Sequence, residues 1–544
     1  MIAQSTTPLW SGTEATEKNL ILGKINNLRI AIRKVNRVEV PAGEIFSFWT
    51  QIGRPTRLKG YVRGRELREG CIIPNIGGGL CQLSNALYDA ALKSGFEIIE
   101  RHAHTQVIPG SLAEIGRDAT VFWNYVDLRF KSAFPFRIEA ELTKDDLIIK
   151  FVGKPSESIH KTKPNTLRLP LAGSRPHSCE TCGVQGCFRN YSAEETNALA
   201  RRTAYLVDKY QREFDDYISW TKQSKDLLFL PLNGKLFRKS NYAWSTNGFY
   251  KVRESRIVSF WRSYRSRKLA QQGAERQRNL LKFNEELAKS FASRLSYDIS
   301  HIVVTQSLLP FLWRDGHLGG RTFDVLMTSL PMRELQERLD FAFKLHPDSR
   351  TLRDFRADES LIRMETEALK NAHRIITPHT EIASLFPDRA VLIDWAIPVS
   401  KSEKVAVQTP TFTILFPGPT AGRKGAFELR EAIKGLPVKL LVLGADLEGE
   451  PFWEGFNVQR ANRNGNWLET IDAVVLPAFV EHDPRLLLTA ISRGIPVIAS
   501  PACGLDGLAG VINVPFGNSM ALRSRIKEIA SEAMKRFEKK LITS

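Results

Sequence analysis

Cys81 follows three consecutive glycines, Gly77, Gly78 and Gly79, and precedes apolar residues at Leu83, Ala86, Leu87, Ala90 and Ala91. Those positions recur at i, i+3, i+4, i+7 and i+8, which predicts a helix with one buried face. Lys93 and then Gly95 supply the cation and the glycine that end such a helix. The thiol is thus expected at a helix N-terminus, where unpaired N–H groups favour the thiolate and lower its pKa. The glycines allow a substrate backbone to come close and leave N–H groups to hold an oxyanion. A base is at hand in His102 and His104, which share a face if the segment from Phe96 is a strand. Asp118 suits the orienting of an imidazole and Arg117 the holding of a carboxylate, just ahead of an alternating run, VFWNYVDLRF, that predicts a strand. Spacing alone leaves one alternative, a packed core cysteine, since free cysteine is usually a small hydrophobe.

The elements that must position such residues fall into four stretches. A module over 1–158 is followed by a cysteine-bearing linker and connector helix over 159–222, then by units over 223–385 and 386–544. In the linker, Cys179, Cys182 and Cys187 form C-x2-C-x4-C, with His177 close and His160 upstream. These ligand types suit a structural zinc. An iron–sulfur site and a reduced loop with no metal remain open as alternatives. Ser192–Glu195 reads as a capping box, with a charged helix expected to about Ser219.

From about Lys225 short apolar runs alternate with helical stretches: DLLFLPL, HIVVTQ, TFDVLMT, HRIITPH and VLIDW, then FTILFPG, KLLVLG, AVVLPA and PVIAS. Such runs are buried parallel strands with crossover helices, so two Rossmann-like domains facing a cleft are expected. After FTILFPG the turn Gly422, Arg423, Lys424 leads into the helix AFELREAI, a place where backbone N–H groups and two cations can cradle a diphosphate. The alternative is an exposed basic turn. Between Lys251 and Arg278 nine cations face two acids, with Trp261 and Tyr264 interleaved. That segment suits an anionic membrane surface or a polyanionic acceptor, or else is a solvated helix face. No recognised nucleic-acid motif accompanies it.

The whole chain of 544 residues carries 77 Lys plus Arg against 59 Asp plus Glu, a net charge of +18 that favours anionic partners. Six cysteines in that length are no disulfide scaffold. The first twenty residues contain neither a basic n-region nor an apolar h-region, and no run of about 18 apolar residues occurs. A cytoplasmic location, with peripheral attachment at the inner membrane face, is the expectation.

Four blocks in order, Pro41–Phe48, Gly77–Ser84, Glu100–His104 and Gly116–Thr120, resemble the VanW family over about 20–155. The family is named for its association with glycopeptide-resistance clusters, and some exported members look like cysteine transpeptidases acting on peptidoglycan stem peptides. The resemblance implies that Cys81 is the nucleophile and one of His102 or His104 its base. The second half, about 225–544, resembles GT-B glycosyltransferases of the large retaining nucleotide-sugar family, most clearly in LPAFVEHDPRLLLTAISRGIPVIASPACGL. That likeness implies that Lys424, helped by Arg423, contacts the donor diphosphate. It makes Glu481 the first glutamate of an E-x7-E pair, close to the sugar. The second glutamate of the pair, which usually holds the ribose hydroxyls, falls on Thr489, and Pro419 stands where an arginine is common.

The resulting expectation is an α/β protein: an N-terminal α+β VanW-like domain followed by two Rossmann-like domains in GT-B arrangement. Its function would lie in cell-envelope or surface-glycan metabolism, as a hexosyltransferase with a nucleotide-sugar donor and no required cofactor. The acceptor would be a glycan, a lipid-linked sugar or a peptidoglycan precursor. The alternative is a degenerate GT-B fusion serving as a scaffold or ligand-binding module, with only the VanW-like domain active on peptidoglycan-type peptides.

Overall fold

The computed structural model describes residues 1–10, 18–68, 71–104, 111–154, 202–266, 274–354, 356–399, 411–449, 451–461 and 467–543. Cys179, Cys182, Cys187, His160, His177 and the Ser192 capping box lie outside the described residues.

The first unit contains β1 (Ala3–Pro8), α1 (Lys18–Val35), β2 (Glu39–Val40), β3 (Ile45–Ser47), α2 (Phe48–Ile52), β4 (Arg63–Arg68), β5 (Cys71–Ile76), α3 (Leu80–Lys93), β6 (Glu97–Glu100), β7 (Arg129–Lys131), β8 (Phe136–Leu142) and β9 (Asp146–Gly153). Its main sheet has the order β1-β9-β8-β2 and is antiparallel. Every second residue of β8 is buried, so one face of the sheet is apolar and takes α1 and α3 as cover. Leu83, Ala86, Leu87, Ala90 and Ala91 of α3 are all fully buried, as the periodicity requires. Phe96 stacks on Phe151 at 5.4 Å between ring centroids and lies 4.6 Å from Phe136, which makes the core aromatic under the site. The run VFWNYVDLRF is not one strand. Asn124 adopts a φ of 70° and the chain turns back through a Phe122–Val126 bridge before β7 begins.

The second unit contains β10 (Arg202–Leu206), α4 (Arg212–Thr221), β11 (Leu227–Leu230), β12 (Lys251–Glu254), α5 (Arg256–Ser266), α6 (Ala274–Ala292), β13 (Ile299–Thr305), α7 (Leu309–Arg314), β14 (Thr322–Leu326), α8 (Met332–Leu345), α9 (Glu359–Asn371), β15 (Arg374–Thr377), α10 (Thr380–Ser384) and β16 (Ala390–Leu392). All strands pair in parallel, in the order β12-β11-β10-β13-β14-β15-β16. The third unit contains β17 (Phe412–Phe416), α11 (Ala426–Ile433), β18 (Val438–Leu443), β19 (Val458–Ala461), β20 (Ala473–Leu476), α12 (Arg485–Ile491), β21 (Val497–Ala499), β22 (Val511–Asn513) and α13 (Ser519–Thr543). It too is parallel, in the order β19-β18-β17-β20-β21-β22. Two doubly wound parallel sheets in succession are the GT-B arrangement.

Two boundaries differ from the sequence reading. Residues 202–206 form a strand between β11 and β13, not the end of a connector helix, so the second unit starts before 223. The burial of Ala204, Tyr205 and Leu206 on both faces of the sheet overrides the charged flank that read as helical. At the other end β16 pairs with β15, which carries this unit past 385.

The first unit is docked on the second. Arg29 of α1 is buried and donates through Nε to the Gly319 carbonyl at 2.8 Å, and Gly320 N–H donates to the Thr143 carbonyl at 2.8 Å. A Cβ on Gly319 would meet Leu142 Cβ at 2.7 Å, so the contact requires glycine there. Among the described residues no helix is long and apolar enough to cross a membrane.

Candidate functional site

Gly79 caps α3 with a φ of 98°, and this left-handed turn places Cys81 in the helix's first turn. Cys81 is half-buried, its sulfur 3.8 Å from Thr120 Oγ1 and 3.8 Å from the Val121 carbonyl. His104 is close enough to act on it by charge and as a hydrogen-bond partner. The other side of the same imidazole is held through Nδ1, 2.9 Å from Asp118 Oδ2, and the His104 backbone N–H donates to that oxygen at 2.6 Å. Asp118 is buried, and Arg101 donates to its Oδ1 and to its carbonyl, each at 2.7 Å.

The charges follow from these contacts. Burial resists a thiolate at Cys81, but the hydrogen bond and charge of His104 outweigh it, and the thiol lies below its ordinary value. Burial also resists a cation at His104, yet its bonds to Asp118 and Cys81 hold the ring at about 9. The Asp118 carboxyl is depressed against its own burial by His104 and Arg101. The arrangement thus favours the thiolate form of Cys81, the imidazolium of His104 and the carboxylate of Asp118 together.

The remaining residues named from the sequence for this module lie elsewhere. His102 does not share a face with His104. β6 ends at Glu100, the chain makes a single bridge from His102 to Thr120, and the half-exposed His102 ring sits 3.5 Å from Glu100. Arg117 pairs with the buried Asp89 at 2.5 Å. Gly77 and Gly78 are engaged within the fold itself. Their N–H groups donate to the Val62 and Asn75 carbonyls, and a Cβ on Gly78 would meet the Gly64 carbonyl oxygen at 2.4 Å. Among the described residues the N–H groups of Gly79 and Cys81 make no backbone hydrogen bond. Sequence reasoning missed Arg101, although it stands inside the Glu100–His104 block. Nothing in its spacing distinguishes it from a solvated arginine.

In the second half Arg423, Lys424 and Glu481 come together where the two parallel-sheet units meet. Lys424 and Glu481 are both buried and form a direct ion pair. Glu481 also accepts from the His482 and Asp483 N–H groups at 2.9 and 3.0 Å. Burial resists its charge, but Lys424 and His482 hold the carboxyl far below the usual range. The Arg423 guanidinium is depressed by burial, with Glu481 and Asp354 acting against that. Burial pushes His482 down to about 4. Gly422 does offer its N–H at the turn, but Glu448 takes it at 2.6 Å. The same carboxylate accepts from Ser349 Oγ and from the Arg350 N–H at 2.9 Å, and both belong to the second unit. Thr489 turns its hydroxyl onto the Arg485 carbonyl of its own helix at 2.8 Å.

Other contacts join the two units across the expected cleft. Arg485 forms a two-pronged ion pair with the buried Glu213 of α4 at 2.6 and 2.7 Å, and Lys209 pairs with Asp483 at 3.0 Å. Phe479 and Val480 pack against Leu339, Ala342 and Leu352 of the second unit. Glu448 and Glu213 carry no motif that sequence alone could have flagged.

Residues 23–152 match the family model described as VanW like protein. The N-terminal unit is accordingly a VanW-like domain. Over 126 residues the chain is 33% identical to the uncharacterized protein YoaR of Bacillus subtilis (strain 168), covering 23% of this chain and 41% of that one. Over 188 residues it is 29% identical to the vancomycin B-type resistance protein VanW of Enterococcus faecalis (strain ATCC 700802 / V583), covering 34% of this chain and 65% of that one. The chain therefore spans less than two thirds of the length of either relative. Among solved structures, sucrose-phosphate synthase (tll1590) from Thermosynechococcus elongatus is similar at 16% identity and a TM-score of 0.38, covering 61% of this chain and 90% of that one.

Proposed function

We propose that the VanW-like domain is a thiol acyltransferase acting on peptides of the cell-envelope polymer, carried on a GT-B-like body. The observation that supports this most is the set Cys81, His104 and Asp118: the His104 ring lies 2.9 Å from the Asp118 carboxylate, and its charge depresses the Cys81 thiol. The Cys81 thiolate attacks a peptide carbonyl, and the oxyanion is received by the N–H groups of Gly79 and Cys81. The C–N bond then breaks, and the leaving amine takes a proton from His104, giving a thioester. An amine acceptor that gives up its proton to His104 attacks the thioester and releases the thiol. Asp118 holds the ring for both proton transfers.

Differential alkylation tests the first step. Cys503 is fully buried, and that burial pushes its thiol far up. At neutral pH iodoacetamide should modify Cys81 well before Cys503 in the folded protein, and His104→Ala should slow it. The rate at Cys81 should rise with pH at a value below the roughly 8.5 of a free thiol. An inert Cys81 would return it to the core.

The convergence of Arg423, Lys424 and Glu481 favours a second reading, nucleotide-sugar transfer at the junction of the two parallel-sheet units. On this reading Lys424 and Arg423 exchange the chain's own carboxylates for a donor diphosphate, and Glu481 serves the sugar. Calorimetry with uridine and guanosine diphosphate sugars tests it. Heats of binding that vanish in Lys424→Ala would support transfer, and no binding by the native chain would leave the second half as a scaffold.

A further inference from the structure

Helix α5 carries large apolar side chains on its exposed side. Ile257, Phe260, Trp261 and Tyr264 are 75%, 68%, 49% and 49% exposed. Their spacing is i, i+3, i+4 and i+7, so they form one stripe along the helix. The opposite face is anchored: Ser259 is buried and donates to the Pro231 carbonyl at 2.9 Å, and Arg262 donates to Tyr242 Oη at 2.8 Å. The stripe extends sideways. The Arg256 guanidinium lies 5.5 Å over the ring of Phe237, and Phe237 and its neighbour Leu236 are themselves exposed.

The border of this patch is cationic. Arg238 and Lys239 are exposed beside Phe237, and among the described residues neither has a carboxylate partner. Arg265 follows Tyr264 on the helix, with its contact to Glu286 a loose 3.3 Å. The nearest acid on the patch side, Glu254, is neutralised by Arg256. A contiguous apolar face of this kind is unusual on a protein surface in water. A cationic rim argues against a second basic copy of this chain as its cover, because the net charge is +18. Tryptophan and tyrosine at the edge of an apolar stripe, with arginine and lysine outside them, match the layering of a bilayer interface.

We infer that the α5 stripe docks the protein flat on an anionic lipid surface, with Phe260 and Trp261 entering the headgroup layer and Arg238, Lys239 and Arg265 facing lipid phosphates. This anchoring is independent of both chemistries proposed above. It places the second unit against the membrane.

Vesicle co-sedimentation of the full chain tests it, with phosphatidylcholine alone and with phosphatidylcholine mixed with phosphatidylglycerol. Binding should require the anionic lipid and weaken as salt rises. Phe260→Ser with Trp261→Ser should reduce partition at least about tenfold. Arg238→Glu with Lys239→Glu should do the same while leaving alkylation of Cys81 unchanged. In the native chain, vesicles should shift the tryptophan emission to the blue, and Trp261→Phe should remove most of that shift, a readout that needs no loss of binding. Native protein that ignores anionic vesicles at low salt overturns the inference, as does partition that survives the paired serine substitutions. Light scattering that shows a dimer broken by those same substitutions would assign the stripe to a second copy and equally overturn it.

Discussion

On the proposed acyl-transfer chemistry, Cys81→Ala will abolish turnover of a peptidoglycan-type stem peptide, and His104→Ala will lower kcat/KM by about a thousandfold. The two losses come from one unit, so the double variant should be no worse than Cys81→Ala alone. Asp118→Asn should lose about as much as His104→Ala, because it removes the acceptor that fixes the ring through Nδ1. His102→Ala should stay near the native rate, since its ring points to Glu100. Equal losses at His102 and His104 would sink the assignment. The pH profile carries the sign. The rising limb marks loss of the thiol proton, below the ordinary cysteine value. The falling limb should lie at about 9, where His104 loses the proton that the leaving amine needs. Alkylation of Cys81 needs no such proton and should show no falling limb. Mass spectrometry of the acylated protein, trapped with a poor acceptor, checks the thioester directly.

Lys424→Ala will destabilise the chain by about 3–5 kcal/mol, because it leaves Glu481 buried without its countercharge. The loss should appear in denaturant unfolding of the ligand-free protein. The double change Lys424→Met with Glu481→Gln should restore most of it, since a buried pair replaced as a whole costs little. A single variant within about 0.5 kcal/mol of native stability, the size expected of a surface substitution, would mean that the pair opens to water. The distinction matters for the transfer reading. A loss of nucleotide-sugar turnover in Lys424→Ala counts for that reading only if Lys424→Met with Glu481→Gln is stable and still inactive.

The apolar runs LLFL, HIVVT and TILF were legible as parallel strands because both faces of such strands are buried, which calls for three or four consecutive apolar residues. The strands KVRE, VQRA and VIN were not, because they lie at sheet edges where one side stays wet and charge is tolerated. The helix behind Cys81 was legible in full, since its buried stripe is a matter of period alone. The choice between His102 and His104 was not. Alternation on a strand equates the two, and only the early end of β6 and the Asp118 contact separate them. Gly422, Arg423 and Lys424 were found by their turn, whereas their occupants, Glu448 and Glu481, come from loops beyond later strands and carry no local mark. The resemblance supplied Glu481, and nothing supplied Glu448.

Glu448 is in effect a tethered competitor. It is never more than a loop's length from the Gly422 N–H, so its effective concentration there is on the order of millimolar, whatever the solution holds. A free anion meets that threshold before it can register as bound. Because the same carboxylate grips Ser349 and Arg350 across the junction, its displacement also loosens the second unit from the third. Binding and separation are then two readings of one equilibrium. Any agent that pries the units apart must raise anion affinity at Gly422 by the same factor by which an anion there eases the prying.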